Sequence, residues 1–350
     1  MKQKITWNLL SKYRGELFGF SIISIIIFHY FEDLNAVGVS GAAKLLTKAY
    51  IWLIGSIGVE IFIFLSGFGL YYSLRKQFNI PRYIYNRIER TIIPYILYGG
   101  IFWILIDLVI SGGGIKKFLL DYSLISFWKD GNKHLWFVAF IIAMYIVFPY
   151  IYKLFVKQKN KAKKRNTILL MCIVYLLGLG VILKMFPDFF ENTEIALTRV
   201  PVFILGIYYG EKSYERETFS KMDKVLIVSG LLLRCVSIFD GTGNTPIYWR
   251  IRMGIYSMLV MWGVVIFLEI LSCNSLNRIL RSVGKYSYEL YLTSVTARII
   301  MKELGYKTSQ LLVYVLCVVI ALIMSYLLVK VERWFNKNIY ERNKEKTTVR

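Results

Sequence analysis

Residues 50–74 read YIWLIGSIGVEIFIFLSGFGLYYSL, twenty-five residues in which Glu60 is the one charged side chain. As an α-helix rising ~1.5 Å per residue, this block is about 37 Å long. The hydrocarbon core of a bilayer needs only ~30 Å. The rest of the chain repeats the pattern. Of 350 residues, 56% are hydrophobic and 16% aromatic, with a mean hydropathy of +0.51, whereas a soluble domain is about 45–50% apolar. Unbroken apolar length predicts ten transmembrane helices, at 15–33, 50–74, 91–112, 134–156, 167–186, 197–210, 222–240, 249–271, 284–301 and 309–330. The sixth and ninth are short, and Pro201 and Gly206 favour a tilted or partly unwound sixth. The expected fold is an all-α polytopic membrane protein located in the cell membrane. One transmembrane domain over 1–335 is followed by a basic tail, 336–350.

A net charge of +22, from 44 Lys+Arg against 22 Asp+Glu, would suggest a nucleic-acid partner in a soluble chain. Its distribution gives another reading. Lys+Arg number 4 in residues 1–15, 5 in 75–90, 7 in 153–166, 4 in 211–224, 3 in 272–285 and 7 in 330–350, which is 30 of the 44. The alternate loops hold 11. The positive-inside rule therefore places both termini in the cytoplasm. The run 157–165, KQKNKAKKR, has no aromatic residue to stack on a base and joins two spans; it reads as a solvated loop drawn to anionic lipid, and no nucleic-acid partner is expected. Small residues after the first span (Ala36, Gly38, Ser40, Ala42) mimic a signal-peptide cleavage site. They follow a polar Glu32–Asp33 pair, and cleavage would disturb the charge alternation, so the first span is expected to be retained. Four cysteines without CxxC spacing and only two histidines indicate neither a disulfide framework nor a metal site.

An ionisable group at mid-membrane costs about 2.5–3.5 kcal/mol and asks for a partner, a cavity or a function. His29 lies about 14 residues into the first span from the inside, roughly 21 Å by helix rise. Glu60 lies about ten residues into the second span from the outside, roughly 15 Å. The two are expected to share one cavity, with Glu60 fixing the imidazole tautomer; an interhelical hydrogen bond is the competing use of His29. Asp107, Arg234, Glu269, Glu289 and Arg298 raise the same question. The small residues of 55–69 predict close helix packing, and Ser66 lacks a G-x-S-x-G elbow. In RYIYNRIER, residues 82–90, Arg87 and Arg90 stand three apart on one helical face. They suit either a phosphate clamp or a positive-inside anchor.

Taken together, IIIFHY ending at Tyr30, GVEIFIFLSGF at 58–68, RIERTIIPY at 87–95 and HLWFVAFIIAMY at 134–145 resemble, in that order, the acyltransferase 3 family of integral membrane O-acyltransferases. VGKYSYELYLTS, 283–294, is similar to that family's late span. The resemblance implies transfer of an acyl group, typically acetyl from acetyl-CoA, to a hydroxyl of an envelope carbohydrate or glycolipid. It implies His29 as the catalytic histidine and Arg87 and Arg90 as a pair on the phosphates of the CoA donor. Two positions depart from the family pattern. An arginine eleven residues before the histidine is replaced by Phe18, with Arg14 a turn further back, and a late-span histidine is replaced by Ser294. These leave open a catalytically altered member. A transporter or flippase of a lipid-linked sugar is the rival class, since ten spans and intramembrane charge fit it too.

A neutral imidazole at His29 would act as general base on the acceptor hydroxyl. The depths of these groups predict a polar tunnel, wide at Arg87 and Arg90, passing Glu60 and His29, and opening on the acceptor side near His134 and Trp136.

Overall fold

The computed structural model of the chain describes residues 6–76, 78–158, 160–236 and 245–348. They are almost entirely helical, and the one β-type pairing among them is an isolated bridge between Thr6 and Thr218. Ten helices overlap the predicted spans: α1 Arg14–Ala36, α2 Ile57–Lys76, α3 Ile80–Ile110, α4 Trp136–Val156, α5 Lys161–Met185, α6 Val200–Tyr214, α7 Lys221–Val236, α8 Pro246–Leu271, α9 Ser287–Glu303 and α10 Leu311–Thr348. Residues 50–53 of the second predicted span belong instead to a preceding helix, Gly41–Leu53, and residues 237–240 of the seventh lie outside the described residues. Seven candidate spans among the described residues are long and apolar enough to cross a membrane: α1, Gly41–Lys76 (which contains α2), α3, α4, α5, α8 and Leu311–Phe335 of α10. The other three helices, α6, α7 and α9, have only 15, 16 and 17 residues.

Small residues set the helix spacing, as 55–69 predicts. A Cβ added at Gly67 of α2 would strike the carbonyl of Phe203, and one at Gly206 of α6 would strike that of Phe64. α2 and α6 thus touch backbone to backbone, which in lipid recovers the van der Waals contact that drives helix association. Gly58 brings α2 onto α1, where an added Cβ would lie 2.6 Å from the Ser21 carbonyl. Residues 272–285, expected to be a loop, instead form the helix Asn274–Lys285. It rests on α1, with Gly284 against Gly15 and Leu280 against Gly19. Its own face toward the bundle is short, so apolar length does not reveal it.

The third helix is irregular for a local reason. Asn79 caps its start, accepting from the Arg82 amide at 2.9 Å. Pro94 brings no amide proton, so the carbonyl four residues back loses its α-helical partner. The chain widens into a π-helical turn, Ile88–Ile92, in which the Ile93 amide reaches back to the Ile88 carbonyl. A second π stretch, Ile104–Ile110, carries Asp107, which pairs with Lys117 at 3.1 Å.

Candidate active site

α1 and α2 run antiparallel: Gly58 meets Ser21 and Gly69 meets Arg14. At the end where α1 begins, a cavity of about 570 Å³ opens between α1, α2 and α3. Arg14, Lys76, Arg82, Arg87 and Arg90 line it, and among the described residues no carboxylate does. The missing side chain of Gly69 makes the room in which the Arg14 guanidinium lies. The Arg87 guanidinium stands 5.7 Å from the Tyr83 ring and 5.6 Å from that of Tyr145, contacts that hold a planar cation while leaving its N–H groups available. The structure thus joins Arg87 and Arg90 to a third arginine. Arg14 has a readable signal: it precedes Phe18 by four residues, and i,i+4 residues share a helical face.

A smaller cavity of about 170 Å³ also has Arg14, Arg87 and Arg90 on its wall and extends to Phe18, Phe62 and Phe137. There it ends on a layer of rings. Phe18 and Phe62 lie 5.0 Å apart, Phe62 and Phe137 5.3 Å, and Phe137 and Tyr291 5.3 Å, all edge-on. The expected open tunnel from the arginines to His29 is therefore interrupted. Helix rise placed the polar groups by depth, but gave no account of which apolar rings fill the space between them.

His29 lies beyond this layer, toward the far end of α1. Its Nδ1 is 3.1 Å from Glu32 Oε2 and 3.3 Å from an Arg298 guanidinium nitrogen of α9. Arg298 also donates to Asp33 through Nε at 2.8 Å and to Glu32 at 2.8 Å. Asp33, nearly buried, further accepts from Lys302 at 2.5 Å and Thr308 at 2.7 Å. Two carboxylates thus face two cations around one imidazole. His29 faces α9 rather than lipid, and its Nε2 has no hydrogen-bond partner among the described residues.

Glu60 is elsewhere. It is fully buried, with Arg199 Nε at 3.0 Å and an Arg250 nitrogen at 3.7 Å from Oε1. With Gly58 against Ser21 and Gly69 against Arg14, Glu60 is level with residues near Ser21, so His29 lies about 12 Å further along α1 by helix rise. The expected Glu60–His29 pairing is corrected: the acidic neighbour of His29 is Glu32, one turn on.

The acyltransferase 3 family, described as an acyltransferase domain, matches residues 19–330. The chain belongs to that family. It is also 26% identical, over 268 residues and 71% of each chain, to a Staphylococcus aureus protein described as a probable poly-beta-1,6-N-acetyl-D-glucosamine export protein. No solved structure matches the chain.

Within this acyltransferase the two departures acquire positions. Phe18 occupies the ring layer, while the Arg14 guanidinium stacks 5.4 Å over its ring and lines the basic cavity. The Ser294 hydroxyl is 3.4 Å from the Tyr291 carbonyl of its own helix, to which it donates. Trp136 is joined to Glu60 through Arg199, whose guanidinium lies 4.8 Å from the indole ring. His134 precedes α4 and stacks on Trp103 at 5.8 Å and 18°; burial lowers its pKa. Neither touches His29. Among the remaining candidates, Arg234 donates to the Trp52 carbonyl and Glu269 pairs with Lys12 at 2.6 Å, so both already serve contacts between helices. Among the described residues no group of His, Cys, Asp and Glu has a metal-binding arrangement.

Proposed function

We propose that the protein transfers an acyl group, acetyl in the first instance, from a cytoplasmic acyl-CoA to a hydroxyl of an envelope or secreted polysaccharide or glycolipid, with His29 as general base. Membership of the acyltransferase 3 family supports acyl transfer, and the polysaccharide in the relative's description supports the acceptor class. The observation that carries the donor side is the convergence of Arg14, Arg87 and Arg90 on a cavity that no carboxylate among the described residues lines. Three guanidinium groups without counter-charge suit a polyanion, and the phosphates of CoA are one. On this reading all ten helices cross the membrane, α6, α7 and α9 as short interior spans, and both termini are cytoplasmic, as the charge alternation favours.

Arg14 and His29 are fifteen residues apart, about 22 Å by helix rise, a distance that an extended phosphopantetheine arm approaches. The arm must pass between Phe18, Phe62, Phe137 and Tyr291, whose rings turn aside when it enters. The acceptor oxygen then attacks the thioester carbonyl as its proton moves to His29 Nε2. A C–O ester bond forms, the C–S bond breaks, and the CoA thiolate leaves and takes a proton. Glu60, with Trp136 and His134, is assigned to the acceptor side, where Arg199 and Arg250 hold its carboxylate.

His29→Ala is expected to lower acyl transfer by at least ~10²-fold while donor KM and thermal midpoint hold. Inverted vesicles should use added acyl-CoA and right-side-out vesicles should not. An unchanged rate in His29→Ala overturns the base assignment. The relative's description favours one second reading, export of a polysaccharide. Polysaccharide movement by the purified protein without thioester consumption would establish it in place of transfer.

A further inference from the structure

The contacts of His29 contain a contradiction that chemistry resolves. A carboxylate only accepts hydrogen bonds and a guanidinium only donates them. Glu32 at 3.1 Å therefore requires a proton on Nδ1, and Arg298 at 3.3 Å requires a lone pair there. One nitrogen serves one of them at a time, so the two neighbours select opposite tautomers. With Arg298 as the donor to Nδ1, the ring proton sits on Nε2, and the only nitrogen free of the ion cluster cannot take another.

We infer that Glu32 is the positioning residue for His29, accepting the Nδ1 proton so that Nε2 presents its lone pair. This rests on the reading of His29 as general base. Two observations favour Glu32 over Arg298. The contact is the shorter of the two. Glu32 is three residues on in the same helix, so it shares the face of His29 and moves with it, whereas Arg298 belongs to α9.

The cluster is balanced around a neutral ring. Glu32 and Asp33 of α1 face Arg298 and Lys302 of α9, Thr308 completes Asp33, and Tyr314 of α10 donates to the Ile26 carbonyl. When His29 takes the acceptor's proton, the new positive charge develops beside the Glu32 carboxylate, an interaction stronger in the transition state than in the ground state. Asp33 acts one step back, fixing the Arg298 guanidinium through its Nε at 2.8 Å.

The test uses the full protein in lipid nanodiscs with ¹⁵N-labelled histidine. The chain has two histidines, so the His29→Ala spectrum identifies the signals of His134. In wild type, His29 is expected to carry its proton on Nδ1. Glu32→Ala should shift it to Nε2 and lower kcat on the order of 10²-fold, with donor KM unchanged. Glu32→Gln, which still offers an acceptor oxygen, should keep the tautomer and recover part of the rate. The failures are separable. A full rate in His29→Ala sinks the base assignment. An Nε2-protonated His29 in active wild type, or an unaltered tautomer and rate in Glu32→Ala, sinks the role of Glu32 alone.

Discussion

The basic cavity and the His29 cluster lie toward opposite ends of α1, and they treat charge in opposite ways. Around His29, Glu32 and Asp33 meet Arg298 and Lys302 one for one. Around Arg14, the guanidinium groups of Arg87 and Arg90 share the wall, and among the described residues no carboxylate lines it. A matched network spends its charges on holding α1 to α9 and fixes geometry. An unmatched one leaves repulsion in the protein that an incoming anion relieves. The first is suited to orienting a reacting group and the second to binding.

The largest expected effect comes from reversing the unmatched end. Arg87→Glu combined with Arg90→Glu should raise donor KM about 100-fold or more, since two charge-assisted hydrogen bonds at about 1.5–3 kcal/mol each are lost. Arg14→Met should raise it less. Steady-state kinetics with acyl-CoA check this, and an unaltered KM with reduced expression would return both arginines to the role of membrane anchors.

A smaller effect, of opposite kind, is expected at the matched end. Asp33→Asn removes a nearly buried carboxylate that Arg298, Lys302 and Thr308 share. Uncompensated charge in such a place costs about 3 kcal/mol, discounted because Lys302 reaches solvent. The thermal midpoint in detergent should fall in Asp33→Asn and hold or rise in Arg14→Met, which removes a like charge from the cavity. Equal losses in the two variants would erase the distinction between the regions.

The smallest effect is a pH dependence at His134. Burial lowers its pKa, so the folded chain keeps the ring neutral while the unfolded chain takes up a proton near pH 6.5. Its contribution to stability is present above that pH and is lost as pH falls through the lower folded value. His134→Gln should flatten the midpoint over this window, and an unchanged slope would mean that the ring is solvated.

Much of this was legible in the sequence, for identifiable reasons. Apolar length marks the spans because lipid imposes a minimum, and the glycines of 55–69 mark close packing because only they admit a neighbouring backbone. The family resemblance rested on motifs in order and carried Arg87, Arg90 and His29 with it. Glu60 misled because depth was reckoned from where the apolar block begins. α2 itself starts at Ile57, so Glu60 sits in its first turn, and its partners Arg199 and Arg250 come from helices far along the chain. Glu32 was in plain view three residues after His29, but read as a polar turn because apolar length ends there. Arg14 was noticed as a displaced residue, and only the fold shows that Gly69 makes room for it. The ring layer has no signature, since Phe18, Phe62, Phe137 and Tyr291 are four apolar residues among many.

The π turn at Ile88–Ile92 gives chain length a meaning that residue identity lacks. A π turn holds one residue more than an α turn over the same hydrogen-bonded step. Excising any single residue from it other than Arg90 would let the helix close as α and rotate everything before it by about 100°. Arg87 and Asn79 would swing away from the cavity wall they now line, with every cation of the segment still present in the sequence. In this protein the aim of the arginines is written as a spacing, so a gap in a related sequence at 88–92 carries more functional information than a substitution there.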